Sequence, residues 1–246
     1  MKKMLQRFPS LYTKASSLWR LTLRHRLYPS LLRENILVYL GGNHGETLID
    51  IAHRFRKVYV FECNPIALEL LKSRMRKFEN ILIFPFAASD RFGLSTLSIP
   101  SNGNFMGSAS IAGFSKKSGI SSIAQFEVVT VNLGEFLKML KVESIDLYQS
   151  DIEGNDFVAL KSMQEFISNK VIERIQLEVW NNDKPSPFSD KNLKCQERHF
   201  DDFLSANYSK IAEGISQVNS VNWFLPVDWN WKDVLWEKKK SSSVEI

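Results

Sequence analysis

The chain is short of the residues that build metal and disulfide scaffolds. Its 246 residues include two cysteines, Cys63 and Cys195, far apart and in no metal-ligand spacing. That argues against a disulfide framework or a zinc site and fits a reducing compartment. The four histidines are scattered and form no H-x-x-x-H pair. No apolar run approaches the ~18 residues a spanning helix needs, and the first 33 residues contain no clean signal-peptide core. Acids are missing from residues 1–33, which hold eight Lys or Arg; the first acid is Glu34. The rest of the chain carries 24 basic and 27 acidic groups, so the net charge of +5 belongs to the arm. A basic nucleic-acid surface on the domain itself is therefore not expected.

What remains is the composition of a soluble globular protein, 44% hydrophobic and 24% charged. The length suits one α/β domain with a full core and is short for two. The chain is organised around Val38-Tyr39-Leu40-Gly41-Gly42-Asn43-His44-Gly45-Glu46, an apolar run that ends in glycines and steps into a helix. A second apolar run, Val58 to Phe61, ends in Glu62. This is a strand, glycine turn, helix, strand unit with an acid at the tip of the second strand. The turn lets a ligand approach the backbone, and the acid can accept hydrogen bonds from two ribose hydroxyls. The dinucleotide spacing G-x-G-x-x-G is absent, which makes a dehydrogenase a poor third choice. The spacing present, G-x-N-x-G, suits a ligand without a pyrophosphate, such as S-adenosylmethionine. An ordinary tight turn is the alternative on this stretch alone.

In chain order, the expected elements are strand 36–40, helix 46–56, strand 58–62 and a helix opened by Asn64-Pro65. That helix should bury Ile66, Leu70 and Leu71. Strand 81–86 follows, then a small-residue turn, Ala87-Ala88-Ser89-Asp90, with room for a flat group such as adenine. Alternation at Leu94, Thr96, Ser98 and at Phe126, Val128, Thr130 predicts a β insertion around the Gly- and Ser-rich stretch 101–122. A short helix at 133–140 leads to strand 145–150, which runs into Asp151-Ile152-Glu153-Gly154 and a helix reaching about Phe166. There the acids either cap the helix or serve the chemistry at the carboxyl edge of the sheet. Strand 175–180 carries Glu178. A polar loop (181–192), a helix (195–207) and a strand (221–226) follow. Trp223, Trp229, Trp231 and Trp236 crowd the C-terminal region and read as core closure.

The ordered set Gly41-Asn43-Gly45, Phe61-Glu62 with Asn64-Pro65, Ala88-Ser89-Asp90, Asp151-x-Glu153-Gly154 and Leu177-Glu178-Val179 resembles the FkbM-type methyltransferases over about residues 35–180. The resemblance implies an α/β fold, the class I methyltransferase Rossmann-like doubly wound sheet, mostly parallel with a β insertion. It implies S-adenosyl-L-methionine as cofactor and O-methylation of a sugar, glycan or natural-product hydroxyl. Position by position, it implies that Gly41, Gly42, Asn43 and Gly45 form the cofactor loop, Glu62 holds the ribose, and Ala88 and Ser89 border the adenine. Asp151, Glu153 and Glu178 fall in the reaction cleft. Two departures stand out: Tyr39 occupies the place where the family usually has an acid, and Cys63 replaces a common proline.

For methyl transfer, Asp151 is the first choice of base or orienting group, with Glu153 and Glu178 next. Close carboxylates raise one another's proton affinity, and the same oxygens suit a divalent cation, although no metal site is assigned. His44 and His199 read as bystanders. The expected partner is a small-molecule or glycan acceptor, with no nucleic acid. The rival readings are a protein or lipid acceptor, or a cofactor-binding but inactive scaffold. The domains divide as a basic arm (1–33), a methyltransferase domain (34–236) and a frayed polar tail (237–246). The arm is an amphipathic helix on the domain, a membrane-surface helix or a transit segment, so the expected location is the cytoplasm, with peripheral membrane contact through residues 1–33 as an alternative.

Overall fold

The computed structural model describes residues 34–100, 109–113, 122–182, 188, 194–213 and 231–240. The basic arm, the expected strand at 221–226, Trp223 and Trp229 lie outside these residues, as does most of the Gly- and Ser-rich stretch.

The first strand, β1 (Glu34–Leu40), buries both faces: Leu37 and Tyr39 point one way, Ile36, Val38 and Leu40 the other. A strand apolar on both faces belongs inside a parallel sheet. Here β1 lies between β2 (Phe55–Phe61) and β7 (Ile145–Ser150), parallel to each. The seven-stranded sheet continues outward to β3 (Ile81–Phe84) on one side. On the other side come β8 (Ile172–Trp180), β10 (Trp231–Lys238) and β9 (Tyr208–Glu213). The order is β3-β2-β1-β7-β8-β10-β9, and β10 runs antiparallel to both its neighbours.

Helices cover both faces. On the Leu37 side lie α1 (Glu46–Ile51) and α2 (Pro65–Met75), which contribute Leu48, Ile51, Leu71 and Met75 to one core. On the Val38 side lie α3 (Leu133–Met139), α4 (Asp156–Ser162), α5 (Gln164–Ser168) and α6 (Glu197–Leu204). They contribute Leu137, Leu160, Phe166 and Phe200 to the other. This is the doubly wound, mostly parallel sheet expected. The β insertion is present as a separate three-stranded sheet, β4 (Ala87–Ser89), β6 (Ser122–Asn132) and β5 (Gly93–Pro100), with β6 in the middle.

Several local expectations are corrected. The first helix stops at Ile51 and gives way to a 3-10 turn, Ala52–Arg54, so that β2 already begins at Phe55. The Asn80 amide donates to the carbonyls of Ala52 and Phe55, both at 2.8 Å, and holds this early reversal. On α2 the buried face is Ala67, Leu68, Leu71 and Met75, whereas Ile66 (47% exposed) and Leu70 (38%) face outward. Asn64 caps the helix at Ile66 N with Pro65 in the first turn. Leu71 and Met75 of the buried face pack against Gly42 and Gly45 of the glycine turn. The stretch Ala87–Ser89 is a strand, not a turn, because β6 offers it a parallel partner from Thr130 to Asn132. The last strand, β10, was not legible in the sequence. It runs through Lys238, and the Lys239 amide donates to Asn207 O at 2.9 Å. Trp236 does close the core, 2% exposed, with its indole N–H on Asp201 at 3.0 Å.

Candidate active site

A cleft opens at the carboxyl ends of β1, β2 and β7, the edge where open α/β sheets take their ligands. It encloses about 650 Å³, its open mouth included. Its floor starts at the glycine turn. Gly41 N and Gly42 N both donate to Phe61 O, at 3.0 and 3.2 Å, which binds the turn to the tip of β2. Gly41 has φ +80°, and a Cβ there would stand 2.0 Å from Asp151 O, so only glycine allows the two strand ends to meet. Gly42 and Gly45 are spent on packing: side chains there would strike Val60, Leu71 and Met75, and neither residue lines the cleft.

Glu62 is 8% exposed and lines the cleft. The Asn64 amide donates to its Oε1 at 2.7 Å and the Asn43 amide to its Oε2 at 2.6 Å. A carboxylate has about four lone-pair positions, so acceptor capacity is left for a ligand. Burial raises its proton affinity above the ordinary carboxyl value, hydrogen bonds from the backbone of Asn64, Asn43 and Cys63 pull it partly back down, and the charge of Asp151 raises it again. The adjoining Cys63 thiol is pushed up to about 12 by burial and by Glu62, so it is inert as a nucleophile. Asn43 also lines the cleft, and its buried Oδ1 has no hydrogen-bond partner among the described residues.

Phe86, Ala87, Ala88, Leu97, Ala109 and Ile111 make an apolar wall. Behind it Phe61, Phe84 and Phe136 pack ring against ring, with centroids 5.1 to 5.7 Å apart. Ala88 is on this wall; Ser89 is buried beside it but does not line the cleft.

The acids gather where β7 ends. Asp151 and Glu153 line the cleft, and Glu178 on β8 joins them from behind, the oxygens of all three within 4.8 Å of one another. Glu178 and Asp151 are close enough to titrate together. Asp151 keeps solvent beside it, whereas Glu178 is 9% exposed. Desolvation raises both, most strongly Glu178, where the charges of Asp151, Glu153, Asp233 and Asp156 add to it.

The expectation that the helix begins near Glu153 fails for a backbone reason. Glu153 (φ 54°) and Gly154 (φ 98°) are both left-handed, so α4 cannot start before Asp156. Neither Asp151 nor Glu153 is the cap. Asp156, absent from the candidates drawn from the sequence, organises the loop instead. Its Oδ1 accepts from Ser150 Oγ at 2.5 Å and from Ile152 N at 3.2 Å, and its Oδ2 accepts from Gly154 N at 3.3 Å. Burial, partly offset by the Ser150 bond, pushes its carboxyl up to about 6. Asn155 donates to Ala88 O at 2.8 Å and ties the loop to the apolar wall. Ser110 Oγ donates to Glu153 O at 2.6 Å, which ties the same loop to the β insertion. Asp233, also missed, sits opposite Glu178 on β10 and is pushed up to about 8 by burial and by Asp151. The only signal for Asp156 was its place six residues after a strand end; Asp233 had none. His44 contributes its carbonyl to Arg74, and His199 packs against Phe157.

A Methyltransferase FkbM domain model matches residues 40–207, which span the glycine turn, Glu62, the acid loop and Glu178. The chain belongs to the FkbM methyltransferase family. No curated protein matches the chain in sequence. Among solved structures, an rRNA methylase from Streptococcus thermophilus is 11% identical, with a TM-score of 0.49, over 89% of this chain and 95% of its own. A methyltransferase FkbM from Methylobacillus flagellatus KT is 12% identical, with a TM-score of 0.48, over 83% of this chain and 43% of its own. N-methyltransferase NodS from Bradyrhizobium japonicum WM9 is 9% identical, with a TM-score of 0.48, over 95% and 99%. No helix among the described residues is long and apolar enough to cross a membrane.

Proposed function

We propose that this FkbM-family protein transfers the methyl group of S-adenosylmethionine to a hydroxyl of a sugar, glycan or natural-product acceptor. One observation carries the reading: a single cleft is lined both by a pinned carboxylate with spare acceptor capacity, Glu62, and by Asp151, which has a Glu178 carboxylate oxygen within 4.8 Å behind it. The residues fit the cofactor. Glu62 would accept from the ribose hydroxyls, and the alanine-rich wall at Ala87, Ala88 and Ala109 would take the adenine. The Asn43 Oδ1, which has no partner among the described residues, and the backbone at Gly41 would meet the amino-acid end. Tyr39 does not take part: it is 7% exposed and packs in the sheet core with Leu37 and Leu48. The amino contact then falls to the loop, Asp151 and Glu153.

The cofactor supplies an electrophilic methyl group, so the protein's task is to align the acceptor and take its proton. Asp151, exposed at the cleft, would accept that proton, and Glu178 would hold Asp151 in place and share it. Raised proton affinity suits a base that works near neutral pH. Calorimetric titration of S-adenosylmethionine and S-adenosylhomocysteine into wild type and Glu62→Ala tests the cofactor site. Micromolar binding lost in the variant supports it; no binding by folded wild type removes it and leaves the scaffold reading. Transfer of labelled methyl to free hydroxyl acceptors, but not to their hydroxyl-blocked analogues, tests the acceptor class.

A further inference from the structure

Two carboxyl groups whose oxygens lie within a few ångströms of each other cannot both ionise without cost, and one retained proton leaves the pair with a single negative charge. Asp151 and Glu178 are such a pair, with carboxylate oxygens within 4.8 Å of each other. Glu178 is enclosed, while Asp151 touches the solvent of the cleft, so protons can reach and leave the pair through Asp151. The groups around the pair oppose a second negative charge on it. Glu153 faces it from the loop before α4, Asp156 from the first turn of α4 and Asp233 from β10. Glu62 faces Asp151 across the cleft from the tip of β2. A positive charge brought into the cleft changes that balance, because it favours the doubly ionised pair.

S-adenosylmethionine and S-adenosylhomocysteine share their adenosine, amino and carboxylate groups. They differ by one methyl group and one positive charge on sulfur. Resting on the cofactor reading above, we propose that the Asp151–Glu178 pair keeps one proton in the ligand-free protein and releases it to solvent when a sulfonium enters the cleft. The pair then takes one proton back from the acceptor hydroxyl. The balance closes. On binding, one carboxyl O–H breaks and the proton goes to the buffer. On transfer, the acceptor O–H and the sulfur–methyl bond break, while the oxygen–methyl bond and a carboxyl O–H form. The pair and its ligand's sulfur together carry the same net charge before binding, when loaded and after transfer. The pair is therefore a competent base only while the sulfonium is present, and the loaded and spent cofactors are told apart by proton count.

The test needs no acceptor. S-adenosylmethionine and S-adenosylhomocysteine are titrated calorimetrically into the full chain, with chelator present, in phosphate and in Tris at one pH. The difference in heat between these buffers counts the protons exchanged. The expected result is close to one proton released per S-adenosylmethionine bound and none per S-adenosylhomocysteine. Affinity for the first should rise with pH by up to about tenfold per unit relative to the second. Groups common to both ligands cancel in that comparison. Glu178→Gln and Asp151→Asn should each abolish the difference. Equal proton counts for the two ligands in wild type overturn the proposal, even if neither variant folds. A difference that persists in both folded variants also overturns it, and would assign the proton to another group such as Asp233. Failure of both ligands to bind folded wild type is a different result: it overturns the cofactor reading itself.

Discussion

Gly41 and Asp151 meet so closely that a Cβ on the glycine would lie 2.0 Å from the Asp151 carbonyl oxygen. This contact joins the glycine turn to the loop that carries the acids. The Asp151 amide adds a second tie, donating to Leu40 O at 3.3 Å. Gly41→Ala must move one backbone or the other, in addition to a left-handed penalty of about 1 kcal/mol. We expect a loss of stability of roughly 1–3 kcal/mol and at least tenfold weaker S-adenosylmethionine binding. Urea melts and calorimetry measure the two; an unchanged affinity would mean that the turn does not form the ligand site.

Glu62→Gln keeps the size of the side chain but replaces one acceptor oxygen with a donor. The Asn43 and Asn64 amides each lose or keep a partner according to how the new amide turns. One backbone N–H then faces an NH₂, at a cost on the order of 1–3 kcal/mol. Cofactor affinity should fall tenfold to a hundredfold while the far-UV circular dichroism is unchanged.

Asp156→Ala removes the acceptor for Ser150 Oγ and for the amides of Ile152 and Gly154 together. The variant should fold with a stability loss of roughly 2–4 kcal/mol, given three bonds to one buried carboxylate. Amide exchange at residues 152–154 should quicken more than in β1. Turnover should fall more than cofactor affinity, because the acids lose their placement before the Glu62 side does. Equal losses in both would assign Asp156 a purely structural role.

Asp233 ordinarily titrates near 3.8, and burial in the fold lifts it to about 8. A raised acid binds more protons folded than unfolded, so its contribution is most favourable below about pH 4. That contribution is lost as pH climbs toward about 8. Asp233→Asn removes the charge and keeps an acceptor and a donor beside Gln176. Compared with wild type, it should be on the order of 1–3 kcal/mol more stable at pH 8 than the same comparison gives at pH 5. Chemical denaturation at both values tests this, and a difference that does not change with pH would mean that Asp233 is ionised throughout.

Much of the fold could be read in the sequence because its signals are local. A run such as Val38 to Leu40 that ends in glycines, an Asn64-Pro65 helix start and alternation around Leu94 and Val128 each follow from the backbone's own preferences. The ordered acids at the carboxyl ends of β2, β7 and β8 follow in turn, since strand ends of a parallel sheet share one edge. By itself the sequence determined the sheet type, the β insertion, the glycine turn and the family. It could not determine what depends on distant partners. Whether Ala87–Ser89 bends or pairs is decided by β6, some forty residues on. Which face of α2 is buried is decided by the glycines of another turn. Asp233 reaches the acids only because β10 inserts antiparallel beside β8. Asp156 acquires its role because Glu153 and Gly154 turn left-handed and leave their loop's amides for it to hold. Hydrogen-bond partners and burial are properties of the packed molecule, and proton affinity follows them; the tertiary structure alone made a cluster of these carboxylates.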